Sequence, residues 1–104
     1  MVGVVVIPNF LNFWQEVSMS KVHVIIYSRP GCHLCDEAKA AILSAGCTDL
    51  FTLEEVNIES DQELLNKYKY DIPVIAIDGA ETFIHRVDVK EFKTLIKQIG
   101  GFRG

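Results

Sequence analysis

Two cysteines spaced Cys-x-x-Cys, Cys32 and Cys35, constrain this chain more than any other feature. Residues 21–27, just before them, are mostly apolar and β-branched, which is typical of a central strand covered on both faces. Pro30 and Gly31 indicate a turn after this run. Beyond the turn, apolar residues recur at helical spacing, at Leu34, Ala38, Ala41, Ile42 and Ala45. The sequence therefore predicts two thiols at the point where a buried strand ends and a helix begins.

A second strand and a second helix are predicted next. Residues 50–58 carry the apolar positions of a strand. Ser60 and Glu63 fit a capping box, with the serine as N-cap, for a helix that runs to about Tyr70. The two successive strand–helix steps predict parallel strands joined by right-handed crossovers.

The C-terminal part predicts a hairpin and a last helix. Residues 72–77 and 80–85 flank an Asp-Gly pair, which is the turn chemistry of a tight antiparallel hairpin. Asp88 fits the N-cap of the last helix, and Gly100-Gly101 fits its end. The order β-α-β-α-β-β-α predicts an α/β fold in which helices flank a four-stranded mixed sheet on both faces.

Length, charge and cysteine count bound the organisation. A chain of 104 residues is expected to be one domain, here residues 21–100. We expect residues 1–20 to form an N-terminal extension outside the core, with an extra edge strand at residues 2–7 as the alternative, and residues 101–104 to form a C-terminal tail.

Composition argues against several kinds of partner. The net charge of −4 and the scattered basic residues argue against a nucleic-acid partner. No run of 18 apolar residues occurs, so we expect no transmembrane helix and no membrane partner. Three cysteines suit a reducing compartment, most simply the cytoplasm, better than a secreted disulfide framework.

The position of the cysteine pair predicts thiol–disulfide exchange. Cys32 falls at a helix N-terminus, where unpaired N–H groups and the helix dipole stabilise a thiolate, so it is the predicted nucleophile. Cys35, one turn deeper, is the predicted resolving thiol. Arg29 is a candidate to stabilise the thiolate or to hold a substrate carboxylate. Protonated His33 would also stabilise the thiolate, whereas Asp36 would raise the thiol pKa.

Pro73 is the second informative position. It stands at the start of a predicted strand, where a proline is tolerated because no N–H is needed. The alternative that the order of elements favours is a cis-proline that faces the dithiol. The backbone of Ile72 would then be free to pair with an extended substrate.

The remaining cysteine, histidines and tyrosine are predicted to have structural roles. A tetrahedral zinc site needs four ligands, and Cys47, His33, His23 and His85 lack paired ligand spacing, so no metal site is predicted. Cys47 has the character of a small buried hydrophobe, with a third redox thiol as the alternative. Tyr27 is predicted in the core, His23 in a structural role, and His85 at an exposed strand end.

Several segments closely resemble glutaredoxins. The run from Tyr27 through Ser-Arg-Pro-Gly to Cys32-x-x-Cys35 resembles their active-site segment, and residues 54–58 resemble their second strand. Ile72-Pro73-Val74, followed by Asp-Gly, resembles their cis-proline loop and hairpin. The resemblance covers about residues 21–99 and is greatest to a small glutaredoxin-like family within the thioredoxin superfamily.

This resemblance implies a fold, an activity and a set of partners. The fold would be thioredoxin-like, and the protein would be an active monomer. It would reduce protein or low-molecular-weight disulfides and would itself be reduced by a thioredoxin- or glutathione-type reductant. No cofactor is required. The alternative is a non-enzymatic thioredoxin-like binding module, or a holder of a metal or an iron–sulfur cluster, acting through Cys32 and Cys35.

Two positions depart from the glutaredoxin pattern. The dipeptide between the cysteines is His33-Leu34, where glutaredoxins usually have Pro-Tyr. After the hairpin, glutaredoxins carry a Gly-Gly pair and an acidic residue that hold the γ-glutamyl end of glutathione. Residues 83–88 contain no glycine, and only Asp88 matches. Because those glycines allow close approach of the ligand to the backbone, their absence weakens the expectation of glutathione binding.

Overall fold

The structure, a computed structural model, describes residues 21–103, with side chains described as far as residue 100. The predictions for residues 1–20 therefore lie outside the described residues. The elements are strands β1 (Val22–Ser28), β2 (Phe51–Asn57), β3 (Val74–Ile77) and β4 (Ala80–Ile84), and helices α1 (His33–Ser44), α2 (Gln62–Tyr68) and α3 (Val89–Arg103). Short 3-10 turns precede and follow β2, at Thr48–Leu50 and Ile58–Ser60.

The four strands form one mixed sheet in the order β2-β1-β3-β4. Strand β1 pairs in parallel with β2 and antiparallel with β3, and β3 pairs antiparallel with β4. The predicted α/β fold with a four-stranded mixed sheet flanked by helices is confirmed. Because β1 is an inner strand, both of its faces carry apolar residues, which explains its nearly continuous apolar sequence.

Each face of the sheet has its own core. One core lies beneath α1 and α3, where Ile26 of β1, Ile42 of α1 and Phe92 of α3 are fully buried. The Phe92 ring meets the Phe51 ring edge-on, with centroids 5.4 Å apart. The smaller core lies on the α2 side and includes buried Tyr68.

Two element boundaries differ from the prediction. The N-cap of α2 is Asp61, not Ser60: its carboxylate accepts hydrogen bonds from the backbone N–H groups of Glu63 at 2.8 Å and Leu64 at 3.4 Å. Ser60 instead ends a 3-10 turn, and its hydroxyl donates to the carbonyl of Asn57. Two residues that both cap well stand next to each other, and the preceding turn decides which one acts.

The last helix does not end at Gly100-Gly101 but continues to Arg103. Gly100 packs close to Leu50, and a Cβ built on it would lie 3.7 Å from the Leu50 Cβ. Glycine lowers helix stability but does not forbid helical dihedrals, so packing against the domain keeps this turn helical.

Candidate functional site

Cys32 is the N-cap residue of α1. Its Sγ accepts a hydrogen bond, 3.1 Å long, from the backbone N–H of Cys35. This residue has extended dihedrals (φ −87°, ψ 107°), and its carbonyl accepts from the N–H of Asp36 at 3.2 Å. The cysteine therefore fills the capping position that Ser or Asp occupies in most helices, with sulfur as the acceptor.

Cys32 and Cys35 are joined by a disulfide, with their Cα atoms 5.2 Å apart. Their exposures differ, because Cys32 is partly exposed whereas Cys35 is only 2 % exposed. An external reactant reaches Cys32 and not Cys35. This arrangement is that of a redox-type pair with one accessible sulfur and one buried sulfur.

The turn before Cys32 places the three predicted charged neighbours in solvent. Gly31 has φ +79°, in the left-handed region that glycine adopts without strain. Arg29, His33 and Asp36 are all exposed. Arg29 and Asp36 line a small polar pocket of about 220 Å³ beside the cysteine turn, and His33 is not among its lining residues.

The Ile72–Pro73 peptide bond is cis, and Pro73 is fully buried. The register pairs Tyr27 near the end of β1 with Val74 at the start of β3, so this loop and the cysteine turn occupy the same end of the sheet. Ile72 is half-buried against the α2-side core. The structure thus brings the cis-proline loop to the dithiol end, and contact of Ile72 and Pro73 with substrate stays a prediction.

Sequence reasoning missed a polar network next to the dithiol. Glu55 of β2 accepts a hydrogen bond from the Ser28 hydroxyl at 3.0 Å and another from the Lys39 ammonium at 3.1 Å. These bonds connect β2, β1 and α1. The hydrogen bond from Lys39, followed by that from Ser28, lowers the pKa of Glu55 despite partial burial. The signal that could have found it is register, since parallel pairing of β1 and β2 puts position 55 on the side of Ser28.

Sequence reasoning also missed a groove on the other side of α1. We call it the α1 groove. It has a volume of about 280 Å³ and is lined by Leu34, Glu37, Ala38, Ala41, His85, Arg86 and Val87. The first four recur at i, i+3, i+4 and i+7 along α1, whereas the last three come from the β4–α3 connection.

His85 holds that connection in an unusual conformation. Its φ is +72°, in the left-handed region that a histidine rarely adopts. Its backbone N–H donates to the carbonyl of Pro73 at 2.8 Å, and its ring Nε2 lies 3.3 Å from the carbonyl of Tyr70. A carbonyl only accepts, so Nε2 carries the proton in this bond. His85 therefore links the α1 groove to the cis-proline loop.

The remaining predicted structural residues occupy packed or paired positions. Tyr27 stacks on Tyr68 with ring centroids 4.7 Å apart, and the His23 ring pairs with Glu54 at 3.1 Å. Cys47 is a free thiol, 1 % exposed, in the larger core, and burial raises its pKa. Among the described residues, no three His, Cys, Asp or Glu side chains are grouped as metal ligands.

This geometry defines a class of protein: a thioredoxin-fold protein with a disulfide-capable Cys-x-x-Cys pair at a helix N-terminus. Comparison of structures supports the fold. A mutant thioredoxin from Halobacterium salinarum matches with a TM-score of 0.58 at 15 % identity, covering 84 % of this chain and 82 % of that one. Mitochondrial thioredoxin 3 from Saccharomyces cerevisiae matches with a TM-score of 0.55 at 10 % identity, covering 86 % and 89 %.

Sequence comparison identifies the family within that class. A family model described as "Glutaredoxin-like domain (DUF836)" matches residues 23–97. A Dictyostelium discoideum protein, described as a glutaredoxin-like protein and YDR286C homolog, is 33 % identical over 91 residues, covering 78 % of this chain and 84 % of the relative. The chain belongs to this glutaredoxin-like family of the thioredoxin superfamily, which confirms the predicted membership.

The described part of the chain was also compared with the requirements for crossing a bilayer. Within it, no helix has both the length and the apolar character of a membrane span.

Proposed function

We propose that this protein is a thiol–disulfide oxidoreductase, with Cys32 as nucleophile and Cys35 as resolving thiol. The observation that carries the proposal is the Cys35 N–H donating to the partly exposed Cys32 sulfur at a helix N-cap, with the two sulfurs within bonding distance. A backbone donor aimed at sulfur stabilises the thiolate more than the neutral thiol, and the thiolate is the attacking species.

The reaction begins from the reduced dithiol. The Cys32 thiolate attacks one sulfur of a substrate disulfide, forming a mixed disulfide and releasing the other substrate sulfur as a thiolate. Cys35, as its thiolate, then attacks the Cys32 sulfur, which closes the Cys32–Cys35 disulfide and releases the second substrate thiolate. The substrate gains two electrons and, with two protons, leaves as two thiols. The enzyme loses the same two electrons.

The neighbouring residues have supporting roles in this proposal. Arg29 and protonated His33 offer positive charge near the Cys32 thiolate, and Asp36 opposes them. The side chains of Arg29, His33 and Asp36 are solvent-exposed, so their influence is screened by water and salt. Ile72 and Pro73 present backbone groups to the substrate from the opposite side of the site.

The partners follow from the chemistry. Substrates are protein or low-molecular-weight disulfides, and a thioredoxin- or glutathione-type reductant regenerates the dithiol. Glutathione is a weaker candidate, because His85 and Arg86 stand where a glycine pair would allow close approach. The protein acts as a monomer in a reducing compartment, most simply the cytoplasm, which suits a chain with the free thiol Cys47.

Trapping of the mixed disulfide tests the proposal. In Cys35→Ser the resolving step is blocked, so incubation with a disulfide substrate should add one substrate thiol to Cys32, detected by mass spectrometry of the intact and digested protein. Cys32→Ser is the matched control and should trap far less, because Cys35 is buried. The proposal fails if no disulfide substrate gives an adduct at Cys32.

The alternative of a binding module or metal holder uses the same two thiols. No observation among the described residues favours it, because no third or fourth ligand stands near the pair. Metal analysis and a visible absorption spectrum of anaerobically purified protein test it. Stoichiometric metal or cluster that blocks both thiols would replace the oxidoreductase proposal.

A further inference from the structure

The α1 groove is a candidate recognition site because it begins at the dithiol and extends away from it. Leu34 lies between the two cysteines in sequence, is 40 % exposed, and lines the groove. From Leu34 to Ala41 the helix rises by about 10 Å at 1.5 Å per residue. Three residues of extended polypeptide also span about 10 Å. The groove therefore has the length of a short extended segment.

The shape of the groove suits one side chain and its adjoining backbone. Its volume of about 280 Å³ lies at the lower end of the range for ligand pockets, about 300–1,000 Å³. The α1 wall includes Ala38 and Ala41, whose small side chains leave the space open. Leu34 and Val87 add apolar surface on the two sides. An apolar side chain placed between them would leave water.

Two unpaired charges stand in the walls. Within the part of the chain whose side chains are described, neither Glu37 on α1 nor Arg86 on the β4–α3 connection has an ion-pair partner within 4.0 Å. A polypeptide with an apolar residue flanked by an acidic and a basic residue complements this pattern. Its carboxylate would meet Arg86, and its cation would meet Glu37.

The wall that carries Arg86 is fixed before any ligand binds. His85 keeps a left-handed backbone, and its two hydrogen bonds hold it to the loop that contains Pro73. A preformed wall lowers the ordering cost of binding. A non-glycine residue in a left-handed conformation costs free energy that surrounding contacts must offset, and such residues concentrate at ligand sites.

We propose that the α1 groove docks an extended segment of a partner protein, with an apolar side chain between Leu34 and Val87 and flanking charges paired with Arg86 and Glu37. The inference rests on the proposed function for the nature of the partner, a protein that carries a disulfide. That disulfide would lie over Cys32 while the adjoining segment occupies the groove. The segment would select protein disulfides over small ones.

Docking can be measured without any thiol chemistry. The probe is a fluorescein-labelled heptapeptide with a central leucine, an aspartate and a lysine on opposite sides of it, and no cysteine. The receptor is the intact full chain with the Cys32–Cys35 disulfide formed. Fluorescence anisotropy should show saturable binding, and replacement of the central leucine by serine should weaken it at least fivefold.

Two pairs of variants test the location. Ala41→Trp fills the groove and should weaken binding at least tenfold, whereas Ala40→Trp, on the exposed side of the same helix, should change it less than twofold. Arg86→Glu should weaken binding about tenfold, and exposed Lys90→Glu, with the same charge change, should have little effect. Circular dichroism of each variant verifies folding.

The outcomes separate this inference from the proposed function. No saturable binding, equal affinity for the serine peptide, or equal effects of Ala41→Trp and Ala40→Trp would each overturn the docking site. Binding with the expected pattern, in a protein that reduces no disulfide, would support the docking site and overturn the oxidoreductase proposal. Reduction of both peptide and small disulfides with equal loss in Ala41→Trp would also overturn selection by the groove.

Discussion

The backbone N–H of Cys35 donates a 3.1 Å hydrogen bond to the sulfur of Cys32, so one cysteine supplies a donor to the other. The amide involved is among the first of α1, which has no carbonyl partner within the helix. The same residue whose thiol closes the disulfide therefore also stabilises the reduced form of its partner. A spacing of three residues satisfies both requirements, because the N–H of position N3 reaches the N-cap side chain.

We predict that the pKa of reduced Cys32 lies below the ordinary thiol value of about 8.5. The hydrogen bond from Cys35 and the positive end of the helix dipole favour the thiolate. The rate of alkylation of Cys35→Ser by iodoacetamide, followed against pH, gives the value. Cys47 serves as an internal control, since it is buried and should react only after unfolding. A Cys32 pKa at or above about 8.5 would contradict the prediction.

A second prediction concerns the dependence of stability on pH through Glu55. Its pKa is lowered in the folded protein, chiefly by the hydrogen bond from Lys39. The stabilisation is therefore present above the unfolded pKa of about 4.3 and is lost as pH falls through the lower folded pKa. Because the pair is 45 % and 41 % exposed, we expect Glu55→Gln to cost less than about 1 kcal/mol at pH 7.

That cost should disappear near pH 2.5, where the wild-type carboxylate is also protonated. Urea unfolding of both proteins at the two pH values measures the difference. Glu59→Gln is the control, because Glu59 is exposed and forms no ion pair with another residue whose side chain is described. A penalty for Glu55→Gln that is the same at both pH values would contradict the assigned ion pair.

Cys47 should behave as a core residue and not as a third redox thiol. It is 1 % exposed and packs in the larger core. Cys47→Ser buries a hydroxyl there and should destabilise the protein by about 1–3 kcal/mol. The reduction potential of the Cys32–Cys35 pair should not change. Urea unfolding and redox titration against a glutathione buffer are the measurements, and a changed potential would favour the redox alternative.

Asp61 should contribute more to α2 than Ser60. Its carboxylate accepts from the backbone N–H groups of Glu63 and Leu64, so Asp61→Ala should cost about 0.5–2 kcal/mol. Ser60→Ala removes only an exposed hydrogen bond to Asn57 and should cost less. Denaturant unfolding of the two variants decides the matter. A larger loss for Ser60→Ala would restore the serine as the effective cap.

The order of elements was predictable from sequence because each element carries a local signal. Strand β1 is apolar on both faces, α1 has a repeat of small apolar residues, and an Asp-Gly turn marks the hairpin. The positions that were wrong lie where two local signals compete. Ser60 and Asp61 both cap helices, and Gly100 both ends helices and permits close packing. Tertiary contacts decided each case, and these have no local signature.

The candidate site divides in the same way. The cysteine pair and the cis bond before Pro73 follow from local sequence and order. The bonds of Glu55 to Lys39 and Ser28 depend on strand register, and the α1 groove depends on how a helix faces a loop 50 residues away in the chain. These arrangements exist only after the sheet has formed. They are also the features that distinguish this site from a generic dithiol.

Leu34 has a place in both the chemistry and the groove. It separates the two cysteines in sequence, where the intervening residues tune the redox potential, and it also forms part of the surface proposed to recognise partners. A mutation at this single position is therefore pleiotropic. Across descendants of a common ancestor, electron affinity and the choice of client should change together at this position. Separating the two traits would require compensating substitutions elsewhere in the groove, such as at Val87.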